Sequence, residues 1–306
     1  MKNESWLLSG DVSIQYQVYR DLLSQDRPDL QARIAMEGWG ALLLSKRLPN
    51  GHWGRDFYQP KWISTHYTLL DLRHMNLPPN HPRAKASVDL IARHYKSEDG
   101  GINPGKTILN SDVCVNGMFL HYACYFGLAE KALQSIIDFL FAEHMPDGGF
   151  NCRSNRSGAV HSSLHSTLSV LEGIQTYVSN GYTYRLNELK EVQRLAEEFV
   201  LLHQLFLSDR TGLIIHKDFL KLSYPGRWKY NILRALDYFR FANRPWDERM
   251  RPAIDVILKK QNRDGTWNVQ AHHPGQVHIK MEQAGKASRW NTLRCRRVLK
   301  HFAMTS

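Results

Sequence analysis

Apolar residues recur at helical spacing along most of the chain. Over residues 82–96, Ala84, Val88, Ile91, Ala92 and Tyr95 fall on one face, with Pro82 at the start. Over 128–144 the same stripe runs through Leu133, Ile136, Ile137, Leu140 and Phe141, and over 248–261 through Ile254, Ile257 and Leu258. Each of these segments keeps one polar face, as a helix with water on one side does. A second set of segments is polar or basic at its N-terminal end and apolar further along: 62–75, 112–126, 162–178, 228–241 and 290–302, with 11–23 of the same type. No stretch shows the alternation of a strand.

Between the two kinds of segment a turn recurs. It reads Pro49-Asn-Gly-His-Trp-Gly54, Glu98-Asp-Gly-Gly-Ile-Asn103, Pro146-Asp-Gly-Gly-Phe-Asn151 and Arg263-Asp-Gly-Thr-Trp-Asn268, with a degraded copy at Asp209-Arg-Thr-Gly-Leu-Ile214. The first three copies stand roughly 50 residues apart, a period that signals stacked supersecondary units. Asp-Gly or Asn-Gly supplies the positive φ of a tight turn, and the aromatic or Ile that follows can plug between neighbouring helices. The predicted order is outer helix, turn, inner helix, repeated to about eleven helices, six inner and five outer.

Composition narrows the class. The hydrophobic fraction of 42% is a globular value, and no apolar run approaches a membrane span. The N-terminus lacks the pattern of a secretory signal. Cys114, Cys124, Cys152 and Cys295 form no CxxC pair and read as free thiols, so a soluble cytoplasmic protein is expected. The net charge of +11 suggests an anionic partner. It is not gathered into blocks, and no zinc-finger spacing or RNP-like motif is present, so nucleic acid is not the expected partner. Neither a Walker loop nor a Gly-x-Ser-x-Gly elbow occurs.

Three inner segments open alike, with Lys61-Trp62, Arg227-Trp228 and Arg289-Trp290, and acids follow nine residues after two of the tryptophans, at Asp71 and Asp237. Two readings stand. The tryptophans wedge adjacent helices while the acids pair with arginines, or they line a cavity with basic groups at its mouth.

The turns, each glycine-rich with a following aromatic or Ile, resemble the repeats of the prenyltransferase and squalene-cyclase superfamily. Trp6-Leu-Leu-Ser-Gly-Asp-Val-Ser-Ile14 and Ser288-Arg-Trp-Asn-Thr-Leu-Arg294 resemble uncharacterised bacterial single-toroid members. The resemblance implies an all-α, single-domain α/α toroid over residues 1–306 with a central cavity. Its rim would carry Lys106, Arg227, Arg289 and Arg294, and its wall Trp62, His66, Tyr67, Trp228, Tyr230 and Trp290. The D-x-D-D acid of class II cyclases is absent. Protein prenyltransferase β subunits hold a zinc ion through an Asp-x-Cys at one inner helix and a His on the next, with a basic residue six positions before the Asp on the diphosphate. The matching residues are Asp112, Cys114 and His165, with Lys106 as the basic residue. Aligning Gly173 with that family's helix glycine puts Ser166 at the histidine position, which leaves His161 and Cys152 as alternates to His165. The expected ligand is an isoprenoid diphosphate or another lipid-like molecule, bound or transformed with or without zinc and with or without a partner protein.

Two other classes remain open. A toroid of this kind can be a non-catalytic binding scaffold. A carbohydrate-active α/α barrel needs two carboxylates across a cleft, for which Asp56, Asp112, Glu172 and Asp218 are the candidates. Residues 271–285 are expected to be a lid or a flexible loop, in which His272, His273 and His278 are further potential metal ligands.

Overall fold

A computed structural model describes residues 3–105 and 109–304. Lys106 therefore lies outside the described residues. Along the chain run α1 (Glu4–Leu8), α2 (Val12–Gln17, continued by a π-helical turn Val18–Leu22), α3 (Pro28–Arg33), α4 (Gly38–Ser45), α5 (Thr65–His74), α6 (Pro82–His94) and α7 (Val113–Tyr125). After these come α8 (Glu130–Ala142), α9 (Ser154–Ser157), α10 (Leu164–Ser179), α11 (Leu186–Leu202), α12 (Ile232–Phe241), α13 (Arg251–Lys259) and α14 (Arg289–His301). The fold is all-α. Strand pairing among the described residues is confined to isolated bridges and a two-residue ladder between β1 (Trp267–Asn268) and β2 (Ala287–Ser288).

The helices gather into two compact units. One takes the described residues of Met1–Lys46, Asp71–Pro78 and His203–Ser306; the other takes Arg47–Leu70 and Pro79–Leu202. Side chains cap the starts of several helices. Asp11 Oδ1 accepts from the Ser13 N–H at the start of α2, Asn231 Oδ1 from Arg234 N–H in α12, and Ser288 Oγ from Asn291 N–H in α14. Trp62 and Trp228 lie ahead of their helices, in the turns that lead into α5 and α12, and not in the helices themselves.

Four turns share one geometry. Gly51, Gly100, Gly148 and Gly265 all sit near φ +90°, between +85° and +91°, where a Cβ would be strained. The residues that follow, Trp53, Ile102, Phe150 and Trp267, are fully buried. Their backbone N–H groups are each taken by a side chain in the first turns of the next helix: Thr65 Oγ1 (3.0 Å), Asn116 Oδ1 (2.6 Å), Thr167 Oγ1 (3.0 Å) and Thr292 Oγ1 (3.0 Å). In three copies the motif acid closes the other side. Asp99 accepts from Ser111 N–H, Asp147 from Ser162 N–H and Asp264 from Thr266 N–H. A buried backbone donor left without such an acceptor would cost about 1–3 kcal/mol.

In the second unit, α7 and α10 run parallel at backbone contact. A Cβ placed on Gly117 would meet the Ser169 carbonyl at 2.6 Å, and one on Gly173 would meet the Gly117 carbonyl oxygen at 2.5 Å. His121, one turn after Gly117, reaches Thr176 Oγ1 at 2.7 Å. The pairing thus advances in the same direction along both helices and aligns their N-termini.

Candidate functional site

The aligned N-termini of α7 and α10 bring Asp112 and Cys114 beside Cys152, which lies in the loop after the third turn. Cys114 N–H donates to Cys152 Sγ at 3.2 Å, and Ser166 Oγ donates to the same sulfur at 3.3 Å. Cys152 N–H in turn donates to Ser166 Oγ at 3.2 Å. The neighbouring Cys152, together with burial, pushes the Cys114 thiol well above the usual range. Cys152 is held below that range by the Cys114 hydrogen bond, against the pull of burial and the Asp112 charge.

Asp112 occupies the N-cap position of α7, yet its side chain makes no capping bond. It pairs instead with Arg156 Nη2 at 2.8 Å. Burial raises its carboxyl above the usual range, and the Arg156 and Lys61 cations offset part of that rise.

The alternate Cys152 stands beside Asp112 and Cys114. His161 is exposed and His165 half-buried. Among the described residues no group of three or more His, Cys, Asp and Glu side chains stands in an arrangement that could hold a metal ion. The donors near Asp112 do not fit a preassembled zinc site, because its carboxylate is engaged by Arg156 and Cys152 Sγ already accepts from the Cys114 N–H and the Ser166 hydroxyl.

Next to the thiols lies an aromatic cluster. His66 is fully buried, with ring centroids of Tyr67 at 4.9 Å, Phe57 and Tyr58 at 5.4 Å, and Tyr122 at 5.5 Å. Trp62 packs edge-on against Tyr67 at 4.7 Å, and the Tyr58 and Tyr67 hydroxyls are 2.9 Å apart. Tyr58 also feels the charges of Cys114, Asp112 and Cys152, which places it between the two clusters. Lys61 holds its ammonium 5.1 Å from the Tyr58 ring.

His66 Nδ1 shares a hydrogen bond with the Tyr122 hydroxyl at 3.1 Å, while Nε2 is buried with no hydrogen-bond partner. Burial, with Lys61 nearby, takes the imidazole down to about 3, so it is neutral at ordinary pH.

The first unit holds the other predicted residues, and there the basic groups are engaged. Arg227 donates to Asp71 Oδ2 at 2.5 Å, and Arg294 donates to Asp237 Oδ2 at 3.2 Å. Arg289 donates to the Trp6 carbonyl at 3.0 Å and lies over the Trp6 ring at 4.6 Å. Trp290 is stacked between Tyr224 and Trp39, at 4.9 and 6.2 Å. Tyr230 donates to the Leu205 carbonyl and packs on Phe219, and Trp228 is half-buried beside Lys229. Arg297, which the sequence did not single out, binds both Asp237 and Asp21. It sits one turn past Arg294 on α14, and that spacing is the signal that could have found it.

Of the carboxylates considered for sugar chemistry, Asp218 is exposed and paired with Lys221 at 2.6 Å. Asp56 is exposed too, and its Oδ1 accepts from the Tyr95 hydroxyl and the Phe57 N–H. Residues 271–285 carry no helix or strand, and Glu282 ties the end of the segment to α14 by accepting from Ser288 Oγ and Trp290 N–H. A surface hollow of about 360 Å³, lined by His144, Asp147, Leu195, Phe199 and Leu202 among others, contains none of the candidate residues.

No protein-family model matches the chain, and no curated protein matches it in sequence. Among solved structures it is similar to a protein from Actinoplanes, with TM-score 0.49 and 14% identity over 96% of this chain and 91% of that one. It is also similar to variants of the type II terpene cyclase MstE from Scytonema. The complex with geranylgeranyl dihydroxybenzoate, its substrate, gives TM-score 0.43 and 13% identity over 95% of this chain and 87% of that one. The complex with merosterolic acid A, its product, gives 0.36 and 12% over 89% and 96%.

Proposed function

We propose that the chain binds an isoprenoid against the aromatic cluster around His66, with an anionic head such as a diphosphate directed to Lys61 and Arg156. The observation that carries the reading is His66 itself. A fully buried imidazole walled by four aromatic rings keeps one nitrogen without a partner, and an unpaired buried polar atom costs about 1–3 kcal/mol unless a polar group of a bound molecule satisfies it, here the head beside Lys61 and not the hydrocarbon chain. Aromatic faces suit a polyene chain through apolar burial, and their quadrupoles favour any positive charge that develops on it. Lys61 and Arg156 flank Asp112 at the same pole and supply the cations that a phosphoryl group needs.

A non-catalytic version of the same reading is favoured by one observation: Arg227 and Arg294 are already held by Asp71 and Asp237. The diphosphate is thus left to Lys61 and to Arg156, which would share its cation with Asp112.

Thermal unfolding with geranylgeranyl diphosphate tests it. Saturating ligand should raise the melting temperature by about 5 °C, geranylgeraniol should act more weakly, and His66→Phe should abolish the shift while the apo protein still folds. No shift at saturating diphosphate would sink the isoprenoid reading.

A further inference from the structure

Two of the four cysteines, Cys124 and Cys295, are fully buried and distant from solvent; the other two, Cys114 and Cys152, are half-buried and touch each other. They come from different helical repeats and meet because α7 and α10 align their N-termini. We propose that Cys114 and Cys152 form a dithiol site at which a hydroperoxide is reduced and an intramolecular disulfide is formed, with Cys152 as the attacking thiol and Cys114 as the resolving one.

The assignment of roles rests on who donates to whom. Cys152 Sγ is the acceptor for the Cys114 N–H at 3.2 Å and the Ser166 hydroxyl at 3.3 Å. Two donors converging on one sulfur favour it as the thiolate, and one of them is an N–H in the first turn of a 13-residue helix, where the peptide dipoles add positive potential. Cys114 is the neighbouring cysteine, and its own backbone N–H already touches the sulfur that its thiol must attack.

The step balances. The Cys152 thiolate attacks one peroxide oxygen, the O–O bond breaks, and Cys152 becomes a sulfenic acid while hydroxide (or alkoxide) leaves and takes up a proton. The Cys114 thiol then loses its proton, its sulfur attacks the Cys152 sulfur, and the S–O bond breaks to release water. One peroxide is reduced and two thiols are oxidised.

The test uses the full chain, reduced and then treated with one equivalent of hydrogen peroxide. Free thiols counted after denaturation should fall from four to two, and peptide mapping should find a Cys114–Cys152 link that dithiothreitol reverses. Cys114→Ser should stop at a sulfenic acid on Cys152 that dimedone traps. Cys152→Ser should keep all of its remaining thiols. If either variant fails to fold by circular dichroism, the map of the unaltered chain decides alone. Four thiols surviving, a link that includes Cys124 or Cys295, or a link only between molecules would each overturn the proposal. Isoprenoid binding plays no part in the readout, so the two proposals fail separately.

Discussion

Asp112 has three neighbours that would claim it, and which one holds it decides the chemistry of the site. A helix N-cap would direct it to a backbone N–H, a metal would take it as a ligand, and Arg156 takes it as an ion pair. The structure gives it to Arg156 at 2.8 Å, with Cys152 Sγ held by the Cys114 N–H and the Ser166 hydroxyl. Purified protein analysed for metals is therefore expected to carry no stoichiometric zinc. A full equivalent of zinc that Cys114→Ala removes would reverse this and restore the ligand set of Asp112, a thiolate and a histidine. His66 shows the same competition resolved differently. Its Nδ1 is satisfied by Tyr122 and its Nε2 by nothing described. The sequence marked His66, Trp62 and Tyr67 as wall residues from their place after the first turn. It could not show Tyr58 or Tyr122 completing the enclosure, because those rings come from a loop and from another helix and share no spacing with His66.

Most of the helices were legible in the chain, α6, α8 and α13 by their apolar stripes and the inner set by its run from polar to apolar, whereas α11, the longest, was not picked out. The expected 112–126 segment is α7, Val113–Tyr125, and 290–302 is α14, Arg289–His301. What periodicity does not encode is which side chain closes each turn. Thr65, Asn116, Thr167 and Thr292 stand 12, 14, 17 and 25 residues after the N–H they accept from, so no fixed offset reveals them. Glycine spacing hid a second element-scale fact, the backbone contact of α7 and α10. Gly117→Ala should destabilise the protein by about 1–3 kcal/mol, since a methyl cannot share the space of the Ser169 carbonyl without parting the helices. Denaturant unfolding measures this. A Gly117→Ala variant as stable as the parent would show that the two helices can slide apart. The same variant should slow Cys114–Cys152 disulfide closure, because it widens the approach that brings the two sulfurs together.

For the molecule as a whole, the +11 charge reads differently once the arginines are placed. Asp237 is buried, which alone would raise its carboxyl. Arg297, Arg240 and Arg294 hold it well below the usual range instead. Asp21 is buried likewise and is held down to about 2 by Arg297 and Arg20. Carboxylates depressed on folding contribute stability that is complete above the unfolded value of about 3.9 and drains away as pH falls through the folded one. Asp71, raised by burial against Arg227, works the other way, its contribution being complete at low pH and lost as pH rises through the folded value. With two strongly depressed groups against one, the melting temperature should fall as pH is lowered from about 5 to about 2. Asp237→Asn should cost about 3 kcal/mol at neutral pH and flatten that acid limb; calorimetry across the range checks both. An unchanged acid limb would remove Asp237 from the account. The turn brackets carry a different consequence for the chain. Because each bracket pins both ends of its connection, the length between them is uncoupled from where the helices lie, and closure entropy rises only slowly with added residues. The connection at 271–285, outside the site around Cys152 and Arg156, is therefore a place where a foreign peptide segment could be grafted, leaving the helices as the frame that displays it.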